Sequence, residues 1–324
     1  MKVFTTRVIP EEGLTILQRA GITVTQWTEM RELTLEEMIV KCNENDALLF
    51  AGGRKIDRPF MEQCRHLKVI ALLSVGYDNV DVKSATELGL QITNTPGVLS
   101  NATADTAFLL MLSVARKAFY HHKRIGQGAW GFSTPTANLG IDVEGKTLGI
   151  WGLGNIGTVM AKRCRAAFGM KIIYCNRHRN EAAEKELDAT FVSFDELLQQ
   201  SDVISVHTSL TPETKEKFNK DAFSKMKPGA IFINTARGGI HNEADLLAAL
   251  QQGQIWGAGL DVTNPEPMKA DNPLLDMPTV AILPHIGSAT LETRNAMSRI
   301  AALNVIAAFE GKPVPNPVNH IYSL

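Results

Sequence analysis

The chain is 324 residues long, enough for about two compact units that each bury a core. Lys and Arg total 33 against 34 Asp and Glu, a formal net charge of -1; no global basic field draws the protein to nucleic acid or an anionic membrane, and a small-molecule partner is expected. Hydrophobic residues make up 44% of a chain with 25 Gly and 14 Pro, which excludes a disordered or collagen-like protein.

From Lys2 to about Ile92, β-branched runs alternate with helical ones. Strands are predicted at residues 3–4, 22–25, 47–50, 69–72 and 90–92, and helices at 11–20, 35–42 and 57–64; the alternation reads as a parallel α/β unit. Ala104, Phe108, Met111, Leu112 and Ala115 recur at helical spacing and predict one long helix over 101–117. A second α/β series starts at Lys146. Its strands are expected at 147–152, 171–175, 203–206, 230–234, 258–261 and 280–283, and its helices at 156–168, 195–200, 220–225 and 243–252. Met297, Ile300, Leu303, Ile306 and Ala307 make 290–309 helical. Its return to the first unit would place the chain crossings near Asn101 and Ser288.

Cys42, Cys64, Cys164 and Cys175 lie far apart, without the close pairing of a metal or redox site, and are read as reduced core thiols. The start, MKVFTTR, runs straight into a strand and lacks the apolar stretch and cleavage site of a signal peptide. The longest apolar run, 107–115, is roughly half of the ~20 residues that a membrane span needs. A cytoplasmic protein is expected.

Segment 147–157, TLGIWGLGNIG, is a strand leading into G-x-G-x-x-G and then a helix. Gly152 permits the tight turn, Gly154 lets the backbone approach a pyrophosphate at the helix N-terminus, and Gly157 lets helix and strand pack closely. An acidic residue about 20 positions later would bind the ribose hydroxyls of NAD. The sequence instead offers Asn176, Arg177 and Arg179, and arginine suits a 2′-phosphate by charge and by its fork of donors. NADP(H) is therefore expected over NAD(H).

Further along the chain, chemistry-bearing residues fall at or just past the ends of predicted strands, where open α/β sheets bind ligands. Arg237, in IFINTARGG (231–239), can clamp the carboxylate of a 2-keto acid and polarise its carbonyl. Asp261 and Glu266 share one strand-to-loop passage, GLDVTNPEP (259–267), and His285 leaves a strand in LPHIGSAT (283–290). The pair His121-His122 shares no helix face and is expected in solvent. His207 is a candidate for lining the cofactor groove, and Trp130 reads as a packing residue rather than a substrate contact.

These motifs, with SVGYDNVD at 74–81, resemble the D-isomer-specific 2-hydroxyacid dehydrogenase family, in particular its glyoxylate/hydroxypyruvate reductase and 2-ketogluconate reductase branch. The resemblance implies two doubly wound parallel-sheet domains: a flavodoxin-like substrate domain (1–100 and 289–324) and an inserted Rossmann-type NADP domain (101–288). It also implies an active-site cleft between them and a homodimer. By the same resemblance His285 is the general acid, held by Glu266 with its imidazolium form favoured, and Arg237 binds the substrate's carboxylate and carbonyl oxygens. Val75, Gly76 and Ser288 complete the substrate site. Thr103, Gly154, Asn155, Ile156, Ser209, Thr235, Asp261 and Gly287 match cofactor positions, with Asn155 standing where many members carry Arg. No metal, nucleic acid or membrane enters this expectation. A dinucleotide-sensing, corepressor-like binding protein, or another 2-hydroxyacid dehydrogenase such as a phosphoglycerate dehydrogenase, is the alternative.

Overall fold

Short runs of Val, Ile, Leu, Ala and Phe that are buried at every position form strands covered on both faces, the arrangement expected of parallel sheets with helices on either side. Ala47–Phe50 and Val69–Leu72 are of this kind in the first part of the chain, and Val203–Val206 and Ile231–Asn234 in the second. The computed structural model describes residues 1–321; residues 322–324, which the sequence reading counts with the substrate domain, lie outside the described residues. The chain divides into two compact units, Met1–Leu99 with Ser288–Leu324, and Ser100–Gly287.

The first unit carries β1 (Lys2–Thr5), β2 (Thr23–Gln26), β3 (Ala47–Phe50), β4 (Val69–Leu72) and β5 (Gln91–Thr93), in the order β2-β1-β3-β4-β5. All pairs are parallel, and the order is that of flavodoxin-like sheets. The helix Leu35–Asn43 starts at a capping box, in which Thr34 accepts from the Glu37 amide while the Glu37 carboxylate accepts from the Thr34 amide. The final helix, Leu291–Phe309, is capped by Thr290 and packs on the helix Glu11–Arg19. Gly13 makes that packing possible: a Cβ there would stand 2.6 Å from the Ser298 carbonyl oxygen, and its amide donates to Ser298 Oγ at 3.1 Å.

The second unit carries β6 (Thr147–Trp151), β7 (Lys171–Cys175), β8 (Thr190–Phe191), β9 (Val203–Val206), β10 (Ile231–Asn234), β11 (Gly257–Leu260) and β12 (Val280–Ile282). Their order, β12-β11-β10-β9-β6-β7-β8, is a parallel Rossmann-type sheet. Ala104, Leu110, Met111 and Val114 of the helix Ser100–Ala115 pack into its core with Leu148, Ile150 and Ile233.

The helix expected over 101–117 is Ser100–Ala115. After it Lys117 takes a left-handed conformation at φ +53°, and a second helix, Ala118–Gly126, which the sequence did not lead us to expect, follows. Trp130 is a correction: it is 80% exposed, and Phe132 and Leu139 are also exposed in large part, so it is not a packing residue among the described residues. Cys42, Cys64 and Cys164 are buried free thiols and Cys175 is partly buried. Among the described residues no helix is long and apolar enough to cross a membrane.

Candidate active site

The glycine-rich turn between β6 and the helix Asn155–Phe168 is shaped by sterics. Gly152 adopts φ +101°, and a Cβ on it would lie 2.7 Å from the backbone joining His207 and Thr208. A Cβ on Gly157 would strike the Gly152 carbonyl. Gly154 is different: it caps the helix without a side-chain bond, and open space surrounds the place a Cβ would take. The uncapped first turn, with Asn155 exposed and Ile156 half-buried, is a cradle that fits a pyrophosphate. Gly152→Ala is accordingly expected to cost about 1–3 kcal/mol of stability, whereas Gly154→Ala should leave it within about 0.5 kcal/mol. Urea unfolding of the two variants checks the contrast.

Leu153, inside the turn, is held from β7's end: its amide donates to Asn176 Oδ1 at 2.7 Å and its carbonyl accepts from Asn180 Nδ2 at 2.8 Å. Asn176 is therefore committed in part to shaping the loop. Arg179 is paired through two nitrogens with Glu184, which also accepts from the Tyr174 hydroxyl. Arg179 and Tyr174 hold the Glu184 carboxyl down to about 2. Arg177 stays exposed, and Glu213 feels its charge. Two buried polar atoms nearby, His207 Nδ1 and Thr235 Oγ1, have no hydrogen-bond partner among the described residues, which suits a groove whose polar lining serves a dinucleotide. His207 Nε2 meets Ser205 Oγ at 2.9 Å, and burial pushes its imidazole down to about 3. Ser209 is exposed, its carbonyl accepting from Thr214 Oγ1 at 2.8 Å.

Three adjacent strands deliver the remaining residues of this unit. β10 ends in Asn234 and passes to Thr235 and Arg237, β11 passes through Asp261 to Glu266, and β12 leads to His285. His285 Nδ1 lies 2.5 Å from Glu266 Oε1, with both side chains roughly half exposed. A carboxylate can only accept, so Nδ1 carries the proton toward it and Nε2 faces away. His285 has φ +55°, a region that histidine tolerates better than most residues but that still needs support. Asp261 gives that support: its carboxylate accepts from the Ile286 amide at 2.8 Å and the Gly287 amide at 2.7 Å. Gly287's carbonyl accepts from Thr103 Oγ1 at 3.1 Å, which ties the long helix to the same turn.

The charges follow from this geometry. Burial pushes the Glu266 carboxyl up, but the hydrogen bond and charge of His285, the Thr263 backbone and the charge of Arg237 together bring it below the usual carboxylate range. Asp261 goes the other way, because its burial outweighs the two amides and His285. Arg237 is half-buried, with Nη1 donating to the Ala236 carbonyl at 2.7 Å. Gly238 beside it presses on the backbone of Thr263, where no Cβ would fit, so the Arg237 turn lies directly against the loop that carries Glu266.

The structure thus brings Arg237, Asp261, Glu266, His285, Thr103 and Gly287 together in one unit. Val75 and Gly76 belong to the first unit, in the loop after β4. There Ser74 Oγ donates to the Gly76 carbonyl at 2.7 Å and Asn94 Nδ2 to the Val75 carbonyl at 2.8 Å. Ser288 is half-buried where the chain re-enters that unit. Sequence reasoning passed over Asn234 and His241, buried partners behind Arg237; a histidine in the otherwise apolar turn GGIH was their only signal.

Comparison with known proteins agrees with this reading. Residues 108–287 match the family described as D-isomer specific 2-hydroxyacid dehydrogenase, NAD binding domain. A glyoxylate reductase of Thermococcus litoralis is 43% identical, over 98% of this chain and 96% of its own. A Thermus thermophilus protein of known structure superposes with a TM-score of 0.92 at 41% identity, over 98% of this chain and all 100% of its own. The NADPH-dependent glyoxylate/hydroxypyruvate reductase of Sinorhizobium meliloti, solved with NADP and malonate, gives 0.85 at 32% identity, over 98% and 96% of the two chains. Matched over more than half of its length by the family's NAD-binding domain, and over 98% of it by these relatives in sequence and in fold, the chain belongs to the D-isomer-specific 2-hydroxyacid dehydrogenase family.

Proposed function

We propose that the protein reduces small 2-keto acids, glyoxylate and hydroxypyruvate first and 2-ketogluconate as a further candidate, to D-2-hydroxy acids at the expense of NADPH in the cytoplasm. The observation that carries this reading is the His285–Glu266 hydrogen bond of 2.5 Å beside Arg237 at the ends of neighbouring strands. The names of the Thermococcus and Sinorhizobium relatives support the substrate class. A bound nicotinamide supplies the hydride that adds to the carbonyl carbon. Glu266 holds the ring by Nδ1, so Nε2–H of the imidazolium is the group that gives its proton to the carbonyl oxygen. Arg237 grips the carboxylate and draws electron density onto the carbonyl oxygen, and the Val75 and Gly76 amides and Ser288 take the rest of the substrate. Gly152, Gly154, Asn155, Ile156 and Gly157 hold the pyrophosphate, and Ser209, Thr235, Asp261, Gly287 and Thr103 line the remainder of the dinucleotide site.

The preference for NADP(H) over NAD(H) rests on exposed Arg177 and on the lack of an acidic residue at Asn176. Arg179 supports it less, being already paired with Glu184. Loss of one charged contact to phosphate predicts kcat/KM about 10- to 100-fold higher with NADPH than with NADH, and equal efficiencies would remove the preference. A homodimer is part of the same reading, supported by exposed Trp130 and Phe132. The deciding experiment is a steady-state NADPH-oxidation assay with the three acids. Turnover of the two short acids alone would define a glyoxylate/hydroxypyruvate reductase, efficient 2-ketogluconate reduction a sugar-acid reductase. No turnover with any would overturn the enzyme.

A further inference from the structure

Asn234 is wholly buried at the end of β10, and its amide is fixed by three hydrogen bonds. Oδ1 accepts from the Ala236 amide at 3.0 Å, and Nδ2 donates to the Arg237 carbonyl at 2.9 Å. These two main-chain bonds set which end of the amide is which. The second hydrogen of Nδ2 points at His241 Nδ1, 3.0 Å away. Nδ1 must therefore be an acceptor, and the proton of the neutral ring sits on Nε2. His241 is 0% exposed, edge-on to Phe232, with its amide donating to the Gly238 carbonyl at 3.2 Å. Burial pushes its imidazole down to about 4, so the ring stays neutral through the physiological range.

An imidazole is a costly way to fill an apolar hole. Its Nε2 has no hydrogen-bond partner among the described residues, and a leucine in that place would bury no polar atom at all. What the imidazole adds is one acceptor, aimed at the amide that straps Ala236 and Arg237 together. We infer that His241 is a positioning residue for Arg237: by accepting from Asn234 it fixes the amide that sets the direction in which Arg237 leaves the strand. Without that acceptor a buried amide hydrogen is left unpaired, and Asn234 satisfies it only by turning away from the Arg237 carbonyl. The guanidinium then loses the alignment that a carboxylate clamp requires. The inference rests on the proposed role of Arg237 in holding substrate.

The test uses the full chain and compares His241→Leu, which removes the acceptor, with His241→Asn, whose Oδ1 can take the place of Nδ1. His241→Leu is expected to raise KM for glyoxylate about 10- to 100-fold, with the NADPH dissociation constant, read by fluorescence titration, within about twofold of the parent. His241→Asn should return KM to within about threefold. A parent-like KM in His241→Leu, or His241→Asn no better than His241→Leu, overturns the inference. So does a loss confined to Tm and to the fraction of protein that binds NADPH. Should His241→Leu fail to fold, His241→Val takes its place under the same criteria, and failure of both assigns the residue to stability alone and overturns it too. Arg237→Ala, run in parallel, separates the two readings: if it keeps a parent-like KM, the role of Arg237 itself falls, whatever the His241 variants do.

Discussion

His285→Ala is expected to lower kcat for glyoxylate reduction by about 10²–10⁴-fold, with the NADPH dissociation constant unchanged. The ring leaves the strand end at φ +55°, its Nδ1 engaged by Glu266, so Nε2 is the atom placed to protonate a carbonyl oxygen. Alanine removes that proton donor but leaves the Asp261 bonds to the Ile286 and Gly287 amides that hold the turn. The effect should therefore fall on the chemical step. The pH profile gives a second readout. On the acid side the relevant group is Glu266, whose carboxyl lies below its ordinary range in the fold. The stabilisation that it gives the pair is fully present above the ordinary carboxylate pKa and is lost as pH falls through the lowered value. The acid limb thus belongs below the usual carboxylate range. In Glu266→Gln that limb should vanish and kcat should drop. A parent-like kcat in His285→Ala would remove the histidine from the reaction.

Parts of this site were legible in the sequence because the physics was local. Gly152 is required by its positive φ and Gly157 by the Gly152 carbonyl five residues before it, and a strand, three glycines and a helix are enough to expect them. The His285–Glu266 pair is legible in another way: the two residues lie 19 apart, and only a resemblance to a family brings them together. The geometry depends on β11 and β12 being neighbours and on a left-handed backbone at a histidine, neither of which spacing reveals. Past β7 the sequence offered the charges of Arg177 and Arg179, yet Glu184, five residues past Arg179, pairs with Arg179. That carboxylate stood in the sequence, at the first turn of an unrecognised helix, Glu181–Leu187. The helix Ala118–Gly126 was passed over because it follows the long helix after two residues, with neither Gly nor Pro between them to mark a second start. Asn234 and His241 were missed because burial, which turns two ordinary polar residues into a fixed pair, is not written in their types.

Arg237→Lys is expected to lower kcat/KM for 2-keto acids by about 10²–10³-fold, through both KM and kcat, although the charge is kept. One nitrogen of the guanidinium donates to the Ala236 carbonyl at 2.7 Å, and the planar fork then fixes the plane in which its other donors lie. Lysine offers a single mobile ammonium on a flexible stem and cannot hold the Ala236 carbonyl and present a planar pair of donors at once. If charge alone mattered, as for steering an anion into the site, the lysine variant would keep most of its efficiency and its KM would rise only at high salt. The two accounts therefore part on the salt dependence. A loss that persists from low to high ionic strength assigns Arg237 to geometry, while near-parent efficiency at low salt would reduce it to an electrostatic guide. Gly238→Ala offers an independent approach, since its methyl group must displace the Thr263 backbone. The Arg237 turn and the Glu266 loop would be pushed apart, and kcat should fall with both side chains still in place.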